Sequence, residues 1–191
     1  MKKIELIWRE ILEKSSQNNL FEQARLAKQF GFSTSTVHAA VTPLRAIGAV
    51  AVTGRNFRVT NFEKILMFWA TRRNLTKDII YQTRVDLPIL EIEGLVNNKT
   101  VYGAYSAARN LLKTAPAEYD KVYVYGDLSL ADRFPKKEGV PNFFILKRDK
   151  FLTGKVTPVS QTYVDLWNLP DWYAADFARG LKEKFYAGFL S

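Results

Sequence analysis

The chain has 191 residues, of which 47% are hydrophobic and 25% charged, a composition typical of a folded globular protein. It contains no cysteine and a single histidine, His38, so disulfide scaffolds, thiolate metal sites and histidine-cluster metal sites are excluded. The 28 Lys and Arg residues against 19 Asp and Glu residues give a formal net charge of +9, which predicts an anionic partner.

The sequence has no apolar run of 18 residues, and Glu5, Arg9 and Glu10 interrupt the apolar stretch that a signal peptide needs. We therefore expect a cytoplasmic protein without a membrane partner. The positive charge is concentrated in residues 1–73, which have 12 Lys and Arg against 5 Asp and Glu, a balance of +7. The remaining residues have 16 against 14, a balance of +2. This distribution fits a phosphate-binding N-terminal part, and it also fits a generically basic surface.

Helical spacing of apolar residues predicts helices over residues 2–14 and 22–30, and Gly31 is suited to end the second of them. Ser33 is a good N-cap for a third helix that continues through Leu44. Strands are predicted at residues 49–52 and 57–60, with a turn between them. Three helices followed by a hairpin predict a winged helix-turn-helix domain.

Pro43 departs from this pattern because it lies well inside the third helix. Proline removes a helical hydrogen bond and clashes with the preceding turn. We therefore expect a kink or a break between Ala39 and Thr42, which would leave the first two turns of the helix to read bases.

The stretch from Leu26 to Val37, "LA..FG.S.STV", and the stretch from Leu44 to Val50, "L..IGAV", resemble the helix-turn-helix of many bacterial and archaeal regulators. Ala27 is small where two helices would cross closely, and Gly48 allows the chain to reverse into the hairpin. These motifs are specific for the fold and leave the target open.

The pattern changes after a helix predicted over residues 61–73, and the polar residues 72–77 are the predicted linker. Residues 79–95 are expected to form strands and turns, and residues 100–112 a helix with small residues on one side. Further strands are predicted at residues 121–125 and 142–147, with a loop over 127–141. Ser160 and Asp171 are predicted to cap two final helices. The fold class is therefore α+β, with a DNA-binding domain over residues 1–73 and a mixed α/β domain over residues 74–191.

The second half carries a weaker resemblance. Three segments, "TVYGAYSAARNLL" (Thr100 to Leu112), "VYVYGD" (Val122 to Asp127) and a stretch from Val156 to Glu183, resemble the C-terminal domain of AbiEi-type regulators. These are the antitoxins of type IV toxin–antitoxin systems and their stand-alone relatives. Residues at the places of the family's "SP.Q.Y.DL" segment and its following helix are Pro158, Gln161, Tyr163, Asp165, Leu166, Ala174 and Leu181. The resemblance implies an autorepressor that binds repeats in its own promoter and, in true antitoxins, opposes a nucleotidyltransferase-like toxin.

The candidate DNA-binding residues follow from the predicted domain. Hydroxyl and imidazole side chains on the third helix suit base edges, and arginines of the hairpin and neighbouring basic residues suit phosphates. The predicted base-reading residues are Thr34, Ser35, Thr36, His38 and Thr42, and the predicted phosphate-binding residues are Arg55, Arg58, Arg45 and Lys28.

Each of these residues also has a simpler interpretation. His38 would equally be a solvent-exposed helix residue without a binding role. The aliphatic part of the Arg45 side chain would equally cover apolar surface. Arg55 and Arg58 would belong equally to a soluble hairpin turn. The alternative function is a protein- or RNA-interaction module that uses the C-terminal domain without operator binding.

An enzyme is the third class considered, and the sequence argues against it. A nucleotidyltransferase needs a Gly-Ser pair followed by closely spaced carboxylates that hold magnesium, and neither is present. Asp127 and Asp132 are too far apart in sequence for this role, and Glu91 and Glu93 are more commonly surface acids. We therefore predict no catalytic residue, no metal and no cofactor.

Two aromatic features complete the prediction. The tyrosines between residues 102 and 125 would stack on bases or pack in a core, and packing is the commoner role. The last helix has more apolar residues than a terminal helix needs, which predicts self-association on DNA, unless they pack on their own domain. They are Trp172, Phe177, Leu181 and Phe185.

Overall fold

The computed structural model describes residues 1–186 and has mixed α and β structure, in which a mainly helical part precedes a mixed sheet. The chain divides into two compact units. The first comprises Met1–Arg73, and the second begins at Asn74. Among residues 1–186, no helix has the length and apolar character needed to cross a membrane.

Residues 1–73 contain four α-helices and a small antiparallel sheet of three strands. In chain order the elements are α1 (Lys3–Ser15), β1 (Leu20–Glu22), α2 (Gln23–Phe30), α3 (Thr34–Ala46), β2 (Val50–Thr53), β3 (Asn56–Val59) and α4 (Phe62–Arg72).

The sheet of the first unit has the order β1-β3-β2, and both pairings are antiparallel. Phe21 lies opposite Phe57 in this register, and their buried rings stack with centroids 5.3 Å apart. Strand β1 thus attaches the segment before α2 to the hairpin. Strand β1 could not be predicted from the sequence, because a strand of three residues is too short for alternation to be visible.

Helix α3 is not broken at Pro43, so of the kink or break predicted between Ala39 and Thr42 the break is wrong. Residues 34–46 form one helix, with Pro43 inside it. The carbonyl that loses its helical partner to Pro43 belongs to Ala39, which is exposed, so water can satisfy it. The helix therefore continues through Pro43 to Ala46.

The second unit contains four strands and four α-helices, with two short 3-10 turns and a π-helical turn after the last helix. In chain order its elements are β4 (Ile79–Thr83), α5 (Ile89–Gly94), β5 (Val101–Gly103), α6 (Ala104–Leu112), β6 (Val122–Gly126), β7 (Phe143–Lys147), α7 (Val159–Trp167) and α8 (Ala174–Leu181).

These strands form a mixed sheet of order β4-β7-β6-β5, in which β6 and β7 are parallel and the outer pairings are antiparallel. Residues of β6 alternate between two covered faces. Val122 and Val124 pack in a cluster with Ile92 of α5. On the other face, the hydroxyl of Tyr125 donates to the buried carboxylate of Asp165 on α7 at 2.5 Å. Because both faces are covered, the central strands β6 and β7 are mostly apolar or aromatic, and Lys147 at the end of β7 is exposed.

Several predicted boundaries in the second unit are wrong. Residues 89–94 are helical rather than extended, because Pro88 is suited to begin a helix as well as to interrupt a strand. Residues 101–103 form β5 rather than the first turn of a helix. Gly103 marks the change, since a Cβ there would lie 2.9 Å from the ring of Tyr125 on the neighbouring strand.

The two predicted caps are also wrong. Ser160 is buried within α7, whose N-cap is Pro158. The carboxylate of Asp171 binds Tyr105 and Lys121 instead of capping α8. A short polar residue before a helix predicts a cap only where no tertiary partner competes for its side chain.

Candidate nucleic-acid interface

Helix α3 has a buried side and an exposed side. Val37, Ala40, Val41 and Leu44 are buried at helical spacing and anchor the helix in the first unit. The indole N–H of Trp8, on α1, donates to the carbonyl oxygen of Ala40 at 2.9 Å. This buried bond fixes the position of α3 along its axis and its rotation about that axis, relative to α1.

The N-terminus of α3 is capped as predicted. The Ser33 hydroxyl accepts a hydrogen bond from the Thr36 backbone N–H at 3.2 Å. The same oxygen lies 2.8 Å from the hydroxyl of Ser35 and 2.9 Å from that of Thr36. Ser35 and Thr36 therefore belong to the cap, and Thr34 is the exposed hydroxyl of this turn without a hydrogen bond to a described residue.

His38, Thr42 and Arg45 recur at intervals of four and three residues and are exposed on the same side of α3. The Thr42 hydroxyl donates to the carbonyl oxygen of His38 at 2.8 Å. Because its proton is engaged within the helix, Thr42 offers a neighbouring molecule its methyl group and an acceptor oxygen. Among residues 1–186, the side chains of His38 and Arg45 have no ion pair or hydrogen bond partner.

The hairpin presents two arginines. Gly54 has φ +59°, which suits the tight turn, and Arg55 follows it at the tip. Burial alternates along β3, so Phe57 is buried and Arg58 is exposed. The backbone N–H of Gln23, the first residue of α2, donates to the Arg55 carbonyl at 3.2 Å, which places the tip beside the start of α2.

Lys28 lies on the exposed side of α2, in its last turn. The side chains of Lys28, Arg55 and Arg58 make no ion pair or hydrogen bond with any residue in the described range 1–186. Within that range nothing neutralises these three cations.

Residues 23–62, which span α2, α3 and the hairpin, contain no aspartate and no glutamate. The flanking acids are Glu22 and Glu63. Over the same residues the chain has five Lys and Arg, so this segment is basic without internal neutralisation. The absence of acidic residues from this segment can be read from the sequence. A charge balance taken over residues 1–73 does not show it, because that balance includes the acidic residues of α1.

Two of the carboxylates considered for metal binding, Glu93 and Asp127, have structural partners. Glu93 is buried and accepts from Tyr119 at 2.8 Å and from Arg109. Asp127 accepts from the backbone N–H and the hydroxyl of Ser129, and these bonds hold its pKa below the ordinary value. Within residues 1–186, no group of three or more acidic or histidine side chains is arranged to hold a metal ion.

The tyrosines considered for base stacking are largely packing residues. Tyr105, Tyr123 and Tyr125 are buried, and the ring of Tyr105 contacts those of Tyr119 and Tyr123 at centroid distances of 5.7 and 6.1 Å. These rings form part of the layer between the sheet and the helices. They offer no exposed platform for a base.

No protein-family model matches this sequence, no curated protein matches it, and no solved structure matches the fold.

Proposed function

We propose that residues 1–73 form a winged helix-turn-helix domain and that the protein is a sequence-specific, double-stranded DNA-binding transcriptional regulator. The observation that carries this proposal is the acid-free segment 23–62, which exposes a polar helix face and cations that have no partner among residues 1–186. DNA carries one negative charge per about 1.7 Å of helix axis, so acidic side chains at such a surface would be repelled.

The exposed side chains divide into two roles. Thr34, His38 and the methyl group of Thr42 face outward from α3 and are suited to base edges, where thymine offers a methyl group and purines offer acceptors. Arg45, Arg55, Arg58 and Lys28 are suited to phosphates, which position the protein without reading sequence. Ser35 and Thr36 support the start of the helix through their contacts with Ser33, so their role is to position Thr34 and His38.

The identity of the operator and the partners rests on the resemblance of the motifs to AbiEi-type regulators. We propose that the protein represses its own promoter by binding repeats there and that copies associate on the DNA. A nucleotidyltransferase-like toxin is the corresponding partner if the protein acts as an antitoxin.

The test is a footprint of the full chain on the DNA upstream of its own coding sequence, in excess competitor DNA, followed by anisotropy titrations on the protected duplex and on a duplex of shuffled sequence. We expect protection of a discrete site, preference for that site over the shuffled duplex, and an affinity that falls steeply with salt. Equal affinity for both duplexes would contradict sequence-specific regulation.

The same preparation distinguishes the other classes of function. A protein-interaction module would give no footprint and would retain a neighbouring gene product during purification, and an RNA-binding module would prefer RNA. A nucleotidyltransferase or nuclease would show magnesium-dependent turnover.

A further inference from the structure

The carboxyl ends of two parallel strands, β6 and β7, border a cavity of about 780 Å³ in the second unit. Gly126, the last residue of β6, and Arg148, which follows β7, both line it. Sheets with parallel strands commonly bind their ligands at this end. Small-molecule sites have volumes of about 300–1,000 Å³, so the cavity is large enough for a ligand with several functional groups.

The lining of this cavity is polar. Its uncharged polar side chains belong to Asn97, Asn98, Thr100 and Ser129. Among the described residues that line it, Leu130 provides the single large apolar side chain, and none provides an aromatic ring. A hydrocarbon ligand would leave these polar groups without hydrogen bonds, and a nucleobase would find no ring on which to stack. The lining therefore favours a small ligand that carries hydroxyl or phosphate oxygens.

Two exposed lysines, Lys99 and Lys150, supply positive charge to the cavity. Within residues 1–186, their ammonium groups make no hydrogen bond or ion pair. Nζ of Lys150 lies over the ring of Phe151, 4.9 Å from its centroid. A phosphate monoester carries a charge of about −1.5 to −2 at pH 7 and has three strong acceptor oxygens. Two such lysines on one cavity therefore suit a phosphate group.

Arg148 joins two of the segments that line the cavity. Its Nε and Nη2 atoms donate to the carbonyl oxygen of Leu152 at 2.9 and 2.7 Å, and Nη1 donates to the carbonyl oxygen of Lys99. The guanidinium thus holds the segment before β5 beside the loop after β7, which carries Lys150. A site whose walls are already ordered loses less conformational entropy when a ligand binds.

The two carboxylates of the lining, Asp127 and Asp149, limit the charge of a suitable ligand. With three cations against two carboxylates, the lining has an excess of one positive charge, which suits one phosphate group rather than a chain of phosphates. Oδ1 of Asp127 accepts from the backbone N–H of Ser129 at 2.9 Å and from its hydroxyl, whereas Oδ2 makes no hydrogen bond within residues 1–186. That second oxygen can accept from a ligand hydroxyl.

We propose that this cavity binds a sugar or polyol that carries one phosphate group. The phosphate is bound by Lys99 and Lys150, and a hydroxyl of the ligand donates to Asp127. This assignment gives the second unit a ligand-binding role. It uses no residue of the first unit, so it holds or fails independently of the proposed DNA binding.

The test is isothermal titration calorimetry of the full chain with three probes, glucose 6-phosphate, ribose 5-phosphate and glycerol 3-phosphate. We expect at least one of them to bind with a Kd below about 1 mM and at least about tenfold more tightly than inorganic phosphate, which has no carbon-bound hydroxyl. Pyrophosphate should bind more weakly than the best of the three probes, because the carboxylates repel its additional charge.

Variants of exposed side chains test the residues of the site. K99A and K150A should each weaken binding of the best probe by about tenfold or more, because each removes a charge that faces the phosphate. K77A is the matched control, since Lys77 is exposed in the same unit and does not line the cavity, and its Kd should equal that of the wild type. D127N keeps one oxygen for Ser129 and loses the second acceptor. Its preference for the best probe over inorganic phosphate should therefore fall by about threefold or more.

Failure of all three probes to bind at about 10 mM would overturn the proposal. So would equal affinities of K99A, K150A and K77A for the best probe, or tighter binding of pyrophosphate than of every probe. An unchanged preference in D127N would overturn the contact between the ligand hydroxyl and Asp127.

Discussion

Arg73, the last residue of the first unit, donates from Nη1 to the carboxylate Oε2 of Glu5 on α1 at 3.3 Å, and both side chains are buried. The same oxygen accepts from the indole N–H of Trp69 at 3.2 Å. These bonds join the two ends of the first unit. The predicted linker 72–77 is therefore wrong at Arg73, which is a core residue, and at Leu75, which is buried in a 3-10 turn.

A fragment of residues 1–73 should fold on its own, because it retains α1, α4 and the Glu5–Arg73 pair that joins them. Far-ultraviolet circular dichroism should show a helical spectrum with a cooperative thermal transition. The fragment should also keep weak, non-specific affinity for DNA, since it carries most of the net charge. A spectrum typical of an unfolded chain would mean that the first unit depends on the second.

Replacement of Arg73 by Met in the full chain should destabilise the first unit by about 3–5 kcal/mol, because the Glu5 carboxylate loses a buried partner. The double variant Glu5→Leu with Arg73→Met should recover most of this loss. Arg72 is the control, since it is exposed and lies over the ring of Phe68 at 3.7 Å. Arg72→Met should cost about 1 kcal/mol or less. Equal effects of the two arginine variants in urea unfolding would contradict this account.

The helices of the first unit could be predicted because their signals are local. Gly31 has φ +65° at the end of α2, and Asn61 caps α4 by accepting from the Lys64 N–H at 2.8 Å. The element boundaries of the second unit were less predictable, because contacts between residues distant in sequence determine where its strands and helices begin and end. Gly103 is an example, since the Tyr125 ring of a strand distant in sequence determines where β5 gives way to α6.

In the candidate interface, too, some features follow from the local sequence and others do not. Exposure of His38 and Arg58 follows from local periodicity, so the sequence predicts it. That the Thr42 hydroxyl is engaged by the His38 carbonyl depends on a rotamer, which the sequence does not specify. Whether the apolar residues of the last helix pack on their own unit also lay beyond prediction, and the structure buries Phe177 and Leu181 there while Trp172 is exposed.

Loss of the α3 cap should lower stability. Ser33→Ala removes the acceptor for the Thr36 N–H and should cost about 1 kcal/mol in urea unfolding of the first unit. Ser33→Asn is the matched control, because asparagine caps equally well and should remain within a few tenths of a kcal/mol. If the alanine and asparagine variants are equally destabilised, the hydroxyl is not acting as a cap.

The second unit should lose stability in alkali. Burial, and then a hydrogen bond from its hydroxyl to Asp171, raise the pKa of Tyr105 far above the ordinary phenol value. Burial and the bond to Glu93 likewise raise the pKa of Tyr119. A raised pKa means that the folded state favours the neutral phenol. The resulting stabilisation is complete below pH about 10 and is lost as the pH rises above that value.

Urea unfolding followed between neutral pH and pH about 11 should show this loss. Tyr105→Phe should be less stable than the wild type at neutral pH, because one hydrogen bond is missing, but its stability should fall less steeply in alkali. An unchanged slope with pH in the Tyr105→Phe variant would show that this phenol does not couple to folding.

The salt dependence of DNA affinity tests the central claim most directly. For the full chain on its footprinted duplex, we expect log affinity to fall linearly with log salt concentration. Arg55→Ala with Arg58→Ala should weaken binding to all sequences and lower the magnitude of this slope by about one to two, because two phosphate contacts are lost. The control Lys147→Ala with Lys155→Ala removes two exposed charges from the second unit and should leave the slope unchanged. Equal slopes for the wild type and the arginine variant would remove the hairpin from the DNA interface and contradict the account.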